Sequence, residues 1–450
     1  MLWQNIRWVI TGVLLTGLLI FITLFNRVDR TPYTEQPYYQ QAIQGMDSTS
    51  VHYQPAQDDT FQVGWSRQNI TPVYPTHLMG YGWKGDYEQV HDSLWVRTLV
   101  FRLDTLVIGL VAYDLMLTPP AVAAQVRQAL ANLPVDHVYF TAIHTHNGYG
   151  GWVDGLGREL IAGKYNPALV QHLVKQTITS LEEAYRNTLP AKVAYTQVAI
   201  DSLVNNRLVK GGDVEPYMRT LYFRRSDGSQ GVFCSYPAHA TYITSKSTDL
   251  SADYPGELVR QLEADTSVAF ALFAAGAVGS HSPHKPGPFS YEKLQTYASR
   301  LANPILQTID SIPYDTTALL GFSEVPFPVG EPQLRITENW RLRPFWFQEI
   351  MGAMHPTLTF LQIDNIILAG TPGDFSGLLY NRLQPDGHPL IVTSFNGEYL
   401  GYLIPSEYYG INHRETRITN WFGPYTGDYT VALINQGLQY LAPTPSATSD

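Results

Sequence analysis

The chain has 450 residues, 44% of them hydrophobic, which is enough for one large domain or two ordinary domains with substantial cores. Its 29 Lys and Arg residues and 39 Asp and Glu residues give a net charge of −10 without any block of like charge, so we expect no nucleic-acid partner. The single cysteine, Cys234, excludes an intrachain disulfide and a thiolate metal cluster.

The N-terminus carries an uncharged apolar segment at residues 8–25, close to the length needed to cross a hydrocarbon core of ~30 Å. A secretory signal peptide is the alternative, but the bulky and charged residues 25–30 do not form a small-x-small cleavage site. We therefore predict a membrane anchor within residues 1–30, with one transmembrane helix. Because no Lys or Arg occurs between Arg30 and Arg67, we expect the large domain to face outward, into a periplasm or the extracellular space.

Three further segments follow the anchor. Residues 31–57 are polar, contain proline and lack periodicity, so we predict a tether that separates the membrane from the folded body. Residues 58–442 are predicted to form the catalytic domain. Residues 443–450 are predicted to be a disordered tail.

Within 58–442, apolar runs typical of strands alternate with amphipathic runs typical of helices. The predicted strands are Leu94–Leu103, Val107–Ala112, Val138–Ile143, Val193–Ile200, Arg219–Phe223, Gly231–Tyr236, Val268–Phe273, Leu358–Ile363 and Ile366–Ala369. The predicted helices are Ala121–Leu133, Pro167–Arg186, Tyr254–Ala264, Tyr291–Ser311 and Tyr429–Leu441. This order predicts an α/β fold, with a mixed sheet and helices packed on the sheet faces rather than a purely parallel doubly wound sheet.

The predicted strand 138–143 runs directly into His-Thr-His-Asn-Gly-Tyr-Gly-Gly at residues 144–151. Side chains two residues apart on a strand share a face, so His144 and His146 are expected to converge on one point. Imidazole is a common metal ligand and also an acid or base near neutral pH. Spacing alone equally allows two polar residues that cap a sheet edge.

Three other predicted strands are followed shortly by His239, Ser282 and Asp374. Ligand sites in layered α/β proteins gather at such strand ends. A histidine pair, a third histidine, a serine and an acid presented in this way can supply a metal site and an acyl-transfer site.

Two segments make the chain resemble a known family. Residues 63–72, VGWSRQNITP, followed by MGYG at 79–82, resemble the opening "G-x-x-R-x-D-I-T-P … M-G-Y" motif, with Asn69 in place of Asp. Residues 141–151, TAIHTHNGYGG, are similar to "A-T-H-T-H-S-G-P-G-G". The chain resembles, from about residue 63 to about 441, the neutral/alkaline non-lysosomal ceramidases, which are zinc-dependent amidases that cleave N-acylsphingosines.

The resemblance implies roles for seven residues. It implies zinc ligands at His144, at His239 in PAHAT, at Asp374 in PGDF where the family has Glu, and at Tyr402 in NGEYLGY. It implies that His146 faces the scissile amide and that Arg207 binds polar groups of the substrate. Ser282 in GSHSP matches the family's nucleophilic serine; a zinc-bound water is the alternative nucleophile, with Ser282 then orienting the substrate.

Two departures from the family pattern bear on this interpretation. Asp374 is one methylene shorter than Glu, by ~1.5 Å, so either the backbone lies closer or the metal site differs. A family tyrosine after Tyr402 is replaced near Arg414.

We therefore predict a membrane-anchored zinc amidohydrolase that takes an N-acyl lipid of ceramide type from the bilayer. The alternatives are a zinc amidase for another N-acyl substrate and a degenerate, non-catalytic member that binds lipid or glycan.

Overall fold

A computed structural model describes residues 2–46, 50–53, 60–82, 84–317 and 319–441. Its helices are α1 (Leu2–Leu24), α2 (Pro37–Met46), α3 (Pro120–Ala129), α4 (Leu156–Ala162), α5 (Pro167–Arg186), α6 (Asp253–Ala264), α7 (Tyr291–Thr308), α8 (Pro344–Met351), α9 (Arg414–Arg417) and α10 (Thr426–Leu441). The predicted tail, residues 443–450, lies outside the described residues.

Thirteen strands among the described residues form two sheets. They are β1 (Ser50–Tyr53), β2 (Gln62–Asn69), β3 (Trp95–Leu103), β4 (Leu106–Tyr113), β5 (His137–Ala142), β6 (Leu189–Ala199), β7 (Tyr217–Arg225), β8 (Gln230–Tyr236), β9 (Phe270–Ala275), β10 (Leu320–Pro326), β11 (Thr357–Ile363), β12 (Ile366–Thr371) and β13 (Leu390–Ser394). Short two-stranded pairs join Phe25–Arg27 to Trp340–Leu342, Leu78–Met79 to Gly148–Tyr149, Gln89–Val90 to Asp249–Leu250, Val204–Asn206 to His281–Pro283, and Asp374–Phe375 to Tyr402–Leu403.

The larger sheet has the order β9-β8-β7-β6-β2-β3-β4-β5 and the smaller sheet has the order β1-β10-β11-β12-β13. Only β8–β9, β4–β5 and β12–β13 are parallel pairs within them. The predicted mixed α/β fold, with helices on the sheet faces, is therefore confirmed. The helix and strand ends differ from the prediction by a few residues, as expected for boundaries read from periodicity.

Alternation along each strand sorts the side chains into separate cores. In β4, Val107 and Val111 face the helix-covered side, whereas Ile108 and Leu110 face the second sheet. Because both faces of β4 are buried, its sequence is an unbroken apolar run. The two sheets pack face to face, and a third core lies between the smaller sheet and α10. The layers are therefore helix, sheet, sheet and helix.

The segment predicted as a free polar tether is partly folded onto the domain. Within residues 31–57, α2 buries Ala42 and Met46 in the third core. Tyr38 also packs edge-on against Tyr429, with ring centroids 5.1 Å apart. Four-residue spacing of Tyr38, Ala42 and Met46 gives one apolar helix face, which the polar residues between them obscured in the sequence. The division of the chain into domains stays a prediction.

Helix α1 contains the predicted membrane segment. Residues 3–24 form the only described helix that is long and apolar enough to cross a bilayer. None of this stretch is buried against the rest of the chain. Length and composition also fit a signal sequence, so the anchor remains a proposal.

Candidate metal centre

Polar side chains converge where β5, β8 and β12 end, and β13 ties these ends together. The hydroxyl of Thr141 in β5 donates a hydrogen bond to Ser394 O (3.0 Å) at the end of β13. The hydroxyl of Ser394 in turn donates to Gly276 O (2.8 Å), just after β9. Strands β5 and β9 are opposite edges of the larger sheet, so these bonds bring distant ends of one sheet to a common point.

The two histidines of the His-Thr-His segment, His144 and His146, lie beyond the end of β5 rather than within it. Strand β5 ends at Ala142, and His144 has a φ of 65°, which is the left-handed region that few non-glycine residues adopt. The two imidazoles do converge, as predicted, but the predicted cause, a shared strand face, is wrong. They converge because the turn reverses, and Gly80 makes room for it: a Cβ there would lie 2.5 Å from the Cα of His146.

Backbone carbonyls orient the rings of His144 and His239. The Nδ1 of His144 lies 2.6 Å from Met116 O, and the Nδ1 of His239 lies 3.1 Å from Val278 O. A carbonyl only accepts, so each Nδ1 carries the proton and each Nε2 presents a lone pair. These two Nε2 atoms are 2.8 Å apart, with both side chains fully buried. Two buried lone pairs that face each other are suited to a shared cation.

Asp374 and Tyr402 add oxygen atoms to the same point. The Oδ1 of Asp374 is 3.2 Å from His144 Nε2 and 3.7 Å from His239 Nε2, and it accepts no hydrogen bond from the described residues. The Tyr402 hydroxyl is 3.3 Å from His239 Nε2. The shorter side chain of Asp374 reaches the site because its backbone is close: a Cβ on Gly279 would lie 2.2 Å from Asp374 O.

Four of the six separations among these atoms are close to those expected around a tetrahedral zinc ion. Ligands at ~2.0 Å from zinc in tetrahedral geometry lie roughly 3.3 Å from one another. The separations of 2.8, 3.2, 3.3 and 3.7 Å bracket that value. A fully buried carboxylate oxygen that accepts no hydrogen bond among the described residues also calls for a nearby cation, since an unpaired buried charge is costly.

His146 belongs to the same cluster but is held differently. Its Nε2 lies 3.3 Å from that of His144, and the three histidines together could hold a metal ion. Among the described residues, Asp374 pairs with the rings of His144 and His239 but not with that of His146, whose Nδ1 has only the backbone of Gly80 as a weak acceptor. It is also the most exposed of the three, at 7%. Burial, His144 and Arg207 hold the pKa of His146 well below its usual range, so the ring is neutral at pH 7.

Arg207 reaches the cluster through Tyr402. Its guanidinium donates to the Tyr402 hydroxyl (2.7 Å) and pairs with Glu415 (2.8 Å). Burial acts to lower the pKa of Arg207, but these two neighbours and Asp374 raise it on balance. Burial likewise raises the pKa of the Tyr402 phenol, with Arg207 opposing the shift. The guanidinium therefore stays charged, while the Tyr402 phenol stays protonated because burial outweighs the effect of Arg207.

Ser282 lies beside the cluster without a hydrogen bond to it. It sits in the short strand 281–283, paired with Asn205, and is half-buried. The neighbouring backbone is tied to both sides of the site, because Arg207 N donates to Ser280 O (3.0 Å) and His239 N donates to His281 O (3.4 Å). Among the described residues, the Ser282 hydroxyl bonds to no histidine. The structure thus brings the other six predicted residues together and places Ser282 at the margin.

Three contributors were missed at the sequence level. Tyr399 donates from its hydroxyl to Asp374 Oδ2 (2.7 Å), and the ring of Phe395 stacks on His144 at a centroid distance of 4.2 Å. Both lie within seven residues of Tyr402 in the same segment, so proximity to a predicted ligand was an available signal. Glu415 pairs with Arg207 across more than two hundred residues, and no local pattern indicates that contact.

An apolar cavity of about 150 Å³ adjoins the cluster. Three residues of its wall contact the cluster. Gly80 lies against His146, Met116 accepts a hydrogen bond from His144, and Tyr399 donates one to Asp374. Its wall is formed by Met79, Gly82, Leu117, Pro120, Trp152, Val153, Ile161, Ala162, Met351, Met354, Thr419 and Trp421, with Arg158, Glu398 and Arg414 as the charged members. Such a cavity suits a hydrophobic chain whose polar end lies at the cluster.

Comparisons with known proteins relate this chain to one family. The family described as neutral/alkaline non-lysosomal ceramidase, N-terminal, matches residues 61–300, more than half of the chain. The neutral ceramidase of Mycobacterium tuberculosis is 27% identical over 248 residues, which cover 48% of this chain and 39% of that protein. The chain therefore spans well under half of that relative's length.

Two solved structures share the fold. They are the neutral ceramidase from Pseudomonas aeruginosa and a ceramidase complexed with C2, each with a TM-score of 0.71 and 18% identity over 87% of this chain. The matches cover 76% and 78% of those two chains. At this identity the likeness establishes the fold.

Proposed function

Because the chain belongs to the neutral/alkaline non-lysosomal ceramidase family, we propose that it hydrolyses the amide bond of an N-acyl lipid of ceramide type. Water adds across the bond, so the products are a fatty acid and a free amine. The observation that carries the proposal is the convergence of two imidazole lone pairs, a buried carboxylate and a phenol beside an apolar cavity.

We propose that zinc is held by His144, His239, Asp374 and Tyr402. Support comes from the separations of the four ligand atoms and from the two carbonyl-fixed tautomers. When bound, zinc supplies a Lewis acid that polarises a carbonyl and lowers the pKa of a coordinated water to ~7. This leaves His146 for the substrate, because it is the most exposed of the three rings and does not pair with Asp374 among the described residues.

The protein residues then have separate tasks. His146, neutral at pH 7, is placed to take a proton from the attacking group and to return it to the leaving amine. Arg207 keeps Tyr402 oriented through a 2.7 Å hydrogen bond and supplies positive charge near the developing oxyanion. Ser282 is the proposed nucleophile or, with water attacking instead, the residue that orients the amide.

We also propose that α1 anchors the enzyme in a membrane with the domain outside. The apolar stretch of residues 3–24 supports the anchor. A lipid substrate would then be present at high local concentration beside the enzyme.

A zinc amidase for another N-acyl compound is the second candidate. Arg158 and Glu398 on the cavity wall favour it, because charged groups in an otherwise apolar cavity suit an acyl chain or amine with a further polar group. Burial raises the pKa of Glu398 and lowers that of Arg158, because both side chains are partly desolvated in the apolar cavity wall.

A panel assay tests both candidates. Purified full-length protein is given fluorogenic ceramide, an N-acylethanolamine and an N-acyl amino acid, with and without a chelator and subsequent zinc. Ceramide turnover that the chelator abolishes and zinc restores is the expected result. Preference for another member of the panel selects the second candidate, and zinc-free protein without turnover on any member contradicts both.

A further inference from the structure

The C-terminal end of α1 is joined to the domain without a free spacer. Residues 25–27 continue directly from α1 as a strand paired with residues 340–342. Arg343 binds two carbonyls of the last turn, from its backbone N to Leu24 O (2.9 Å) and from Nε to Ile22 O (2.8 Å). The indole of Trp346 donates to Thr23 O (3.1 Å). The domain therefore has a set orientation relative to α1.

These contacts provide hydrogen-bond donors for carbonyl groups at the C-terminal end of α1. The last four carbonyls of a helix lack partners within it, and an unsatisfied carbonyl is expensive in lipid. Arg343 also places a cation at the negative end of the helix dipole, which is favourable. Trp340 and Trp346 lie beside the same helix end, and Trp340 packs edge-on against Phe21 at a centroid distance of 4.6 Å. Tryptophans at this level are typical of a membrane–water interface.

Helices α8 and α4 extend this end of α1 into one surface with exposed apolar side chains. Phe345 and Ile350 on α8 are 58% and 43% exposed, and Leu160 and Ile161 on α4 are 65% and 45% exposed. The two helices lie in close contact, since a Cβ on Gly157 of α4 would meet Ile350 at 2.0 Å. An apolar patch of this kind marks an interaction site.

We propose that this α4–α8 surface lies in the headgroup region of the bilayer that α1 crosses, and that the apolar cavity opens into that bilayer. The bilayer is the favoured occupant because the surface continues directly from a candidate membrane helix. Ile161 supports the opening, because it lines the cavity and is also exposed on α4. The entry of an N-acyl lipid by this route rests on the proposed function; the membrane contact itself does not.

Depth measurements with spin labels test the surface independently of catalysis. Leu160→Cys and Phe345→Cys are labelled with a nitroxide in full-length protein reconstituted in phosphatidylcholine vesicles; the native Cys234 is buried and does not compete. Lys192→Cys, on an exposed position of β6, is the control. Labels at 160 and 345 are expected to collide with oxygen and to be protected from a water-soluble nickel chelate, whereas the label at 192 shows the reverse.

Two outcomes overturn the proposal. Equal access of the nickel chelate to all three labels means that the surface faces water. Protection of 160 and 345 from both reagents means that the surface packs against protein, as in association of two copies. Neither outcome depends on whether the protein hydrolyses anything.

A kinetic arm then tests lipid entry. Leu160→Asp combined with Phe345→Asp is expected to lower turnover of long-chain ceramide in vesicles by about tenfold or more, because interfacial binding is weakened. Turnover of a water-soluble short-chain ceramide is expected to stay within about twofold, since neither residue lines the cavity. Lys192→Asp adds a negative charge elsewhere and should change neither rate. An equal loss on both substrates contradicts entry through this surface, and absence of turnover in the unmodified protein identifies a failure of the proposed function instead.

Discussion

Replacing His144 by alanine should remove the metal, whereas replacing His146 by alanine should keep it. The distinction follows from the position of Asp374: its Oδ1 lies 3.2 Å from the Nε2 of His144 and 3.7 Å from that of His239, whereas among the described residues it does not pair with His146. The first variant is expected to lose zinc and turnover together. The second is expected to lose turnover alone.

The size of the effect can be worked from the four-ligand site. Structural zinc sites have apparent binding free energies of roughly 10–16 kcal/mol, or about 3 kcal/mol for each of four ligands. Loss of one ligand therefore weakens zinc binding by about a hundredfold to a thousandfold. A residue that does not bind the metal should change the affinity by about tenfold at most, which is the low end of the loss seen on removing a hydrogen-bond partner of a ligand. Both side chains are buried, so each truncation should cost a similar ~1–3 kcal/mol of unfolding free energy, and each variant controls for the stability of the other.

The assay is equilibrium dialysis against buffered zinc, with metal content measured by mass spectrometry and with urea unfolding of both variants. Turnover is measured on the substrate that the panel selects. Equal loss of zinc from His144→Ala and His146→Ala would refute the reasoning, because it would make His146 a ligand. Retention of zinc by His144→Ala would refute it as well.

Three further changes have defined outcomes. Asp374→Glu adds ~1.5 Å of side chain to a site whose backbone is already pinned by a hydrogen bond to Gly401 O, so we expect zinc affinity and turnover to fall about tenfold, measured by dialysis and initial rates. Gly80→Ala places a Cβ 2.5 Å from the His146 Cα, and we expect a loss of ~1–3 kcal/mol of unfolding free energy in urea together with lower turnover. Burial and Arg207 lower the pKa of His281 to about 3, so between pH 6.5 and 5.5 the unfolded chain binds a proton that the folded chain does not. Stability should fall as the pH falls through that window, and His281→Asn should reduce the slope by ~1 kcal/mol per pH unit, since the unfolded histidine is half to nine-tenths protonated there.

Each of these has a control or a contrary result. Undiminished turnover of Asp374→Glu would mean that the backbone can withdraw to accommodate the longer acid. Gly82→Ala also changes a glycine of positive φ, but its Cβ would meet nothing within 4 Å, so it separates backbone strain from crowding at the site. An unaltered pH slope in His281→Asn would show that folding does not lower the pKa of this histidine.

Local patterns in the chain were sufficient for the fold class and named six of the residues that the fold brings together at the candidate site. Strands buried on both faces have unbroken runs of apolar residues, so the runs in β4 and β5 predicted these strands directly from the sequence. The helical period of α5 was equally clear, and its start is capped by the side chain of Asn166 as the sequence pattern allows. The resemblance to family motifs supplied the candidate ligands. These motifs are short, and several of them follow directly after a buried strand.

The tertiary structure decided what depends on contacts between distant segments. Only the folded chain shows that carbonyls of Met116 and Val278 select the tautomers of His144 and His239, and that Asp374 pairs with these two rings. It also decides that Asp374 reaches the cluster despite its short side chain, because glycine backbone lets two segments approach closely. Sequence determined which groups are available near each strand end; packing determined their distances, protonation and burial, and those quantities set the chemistry.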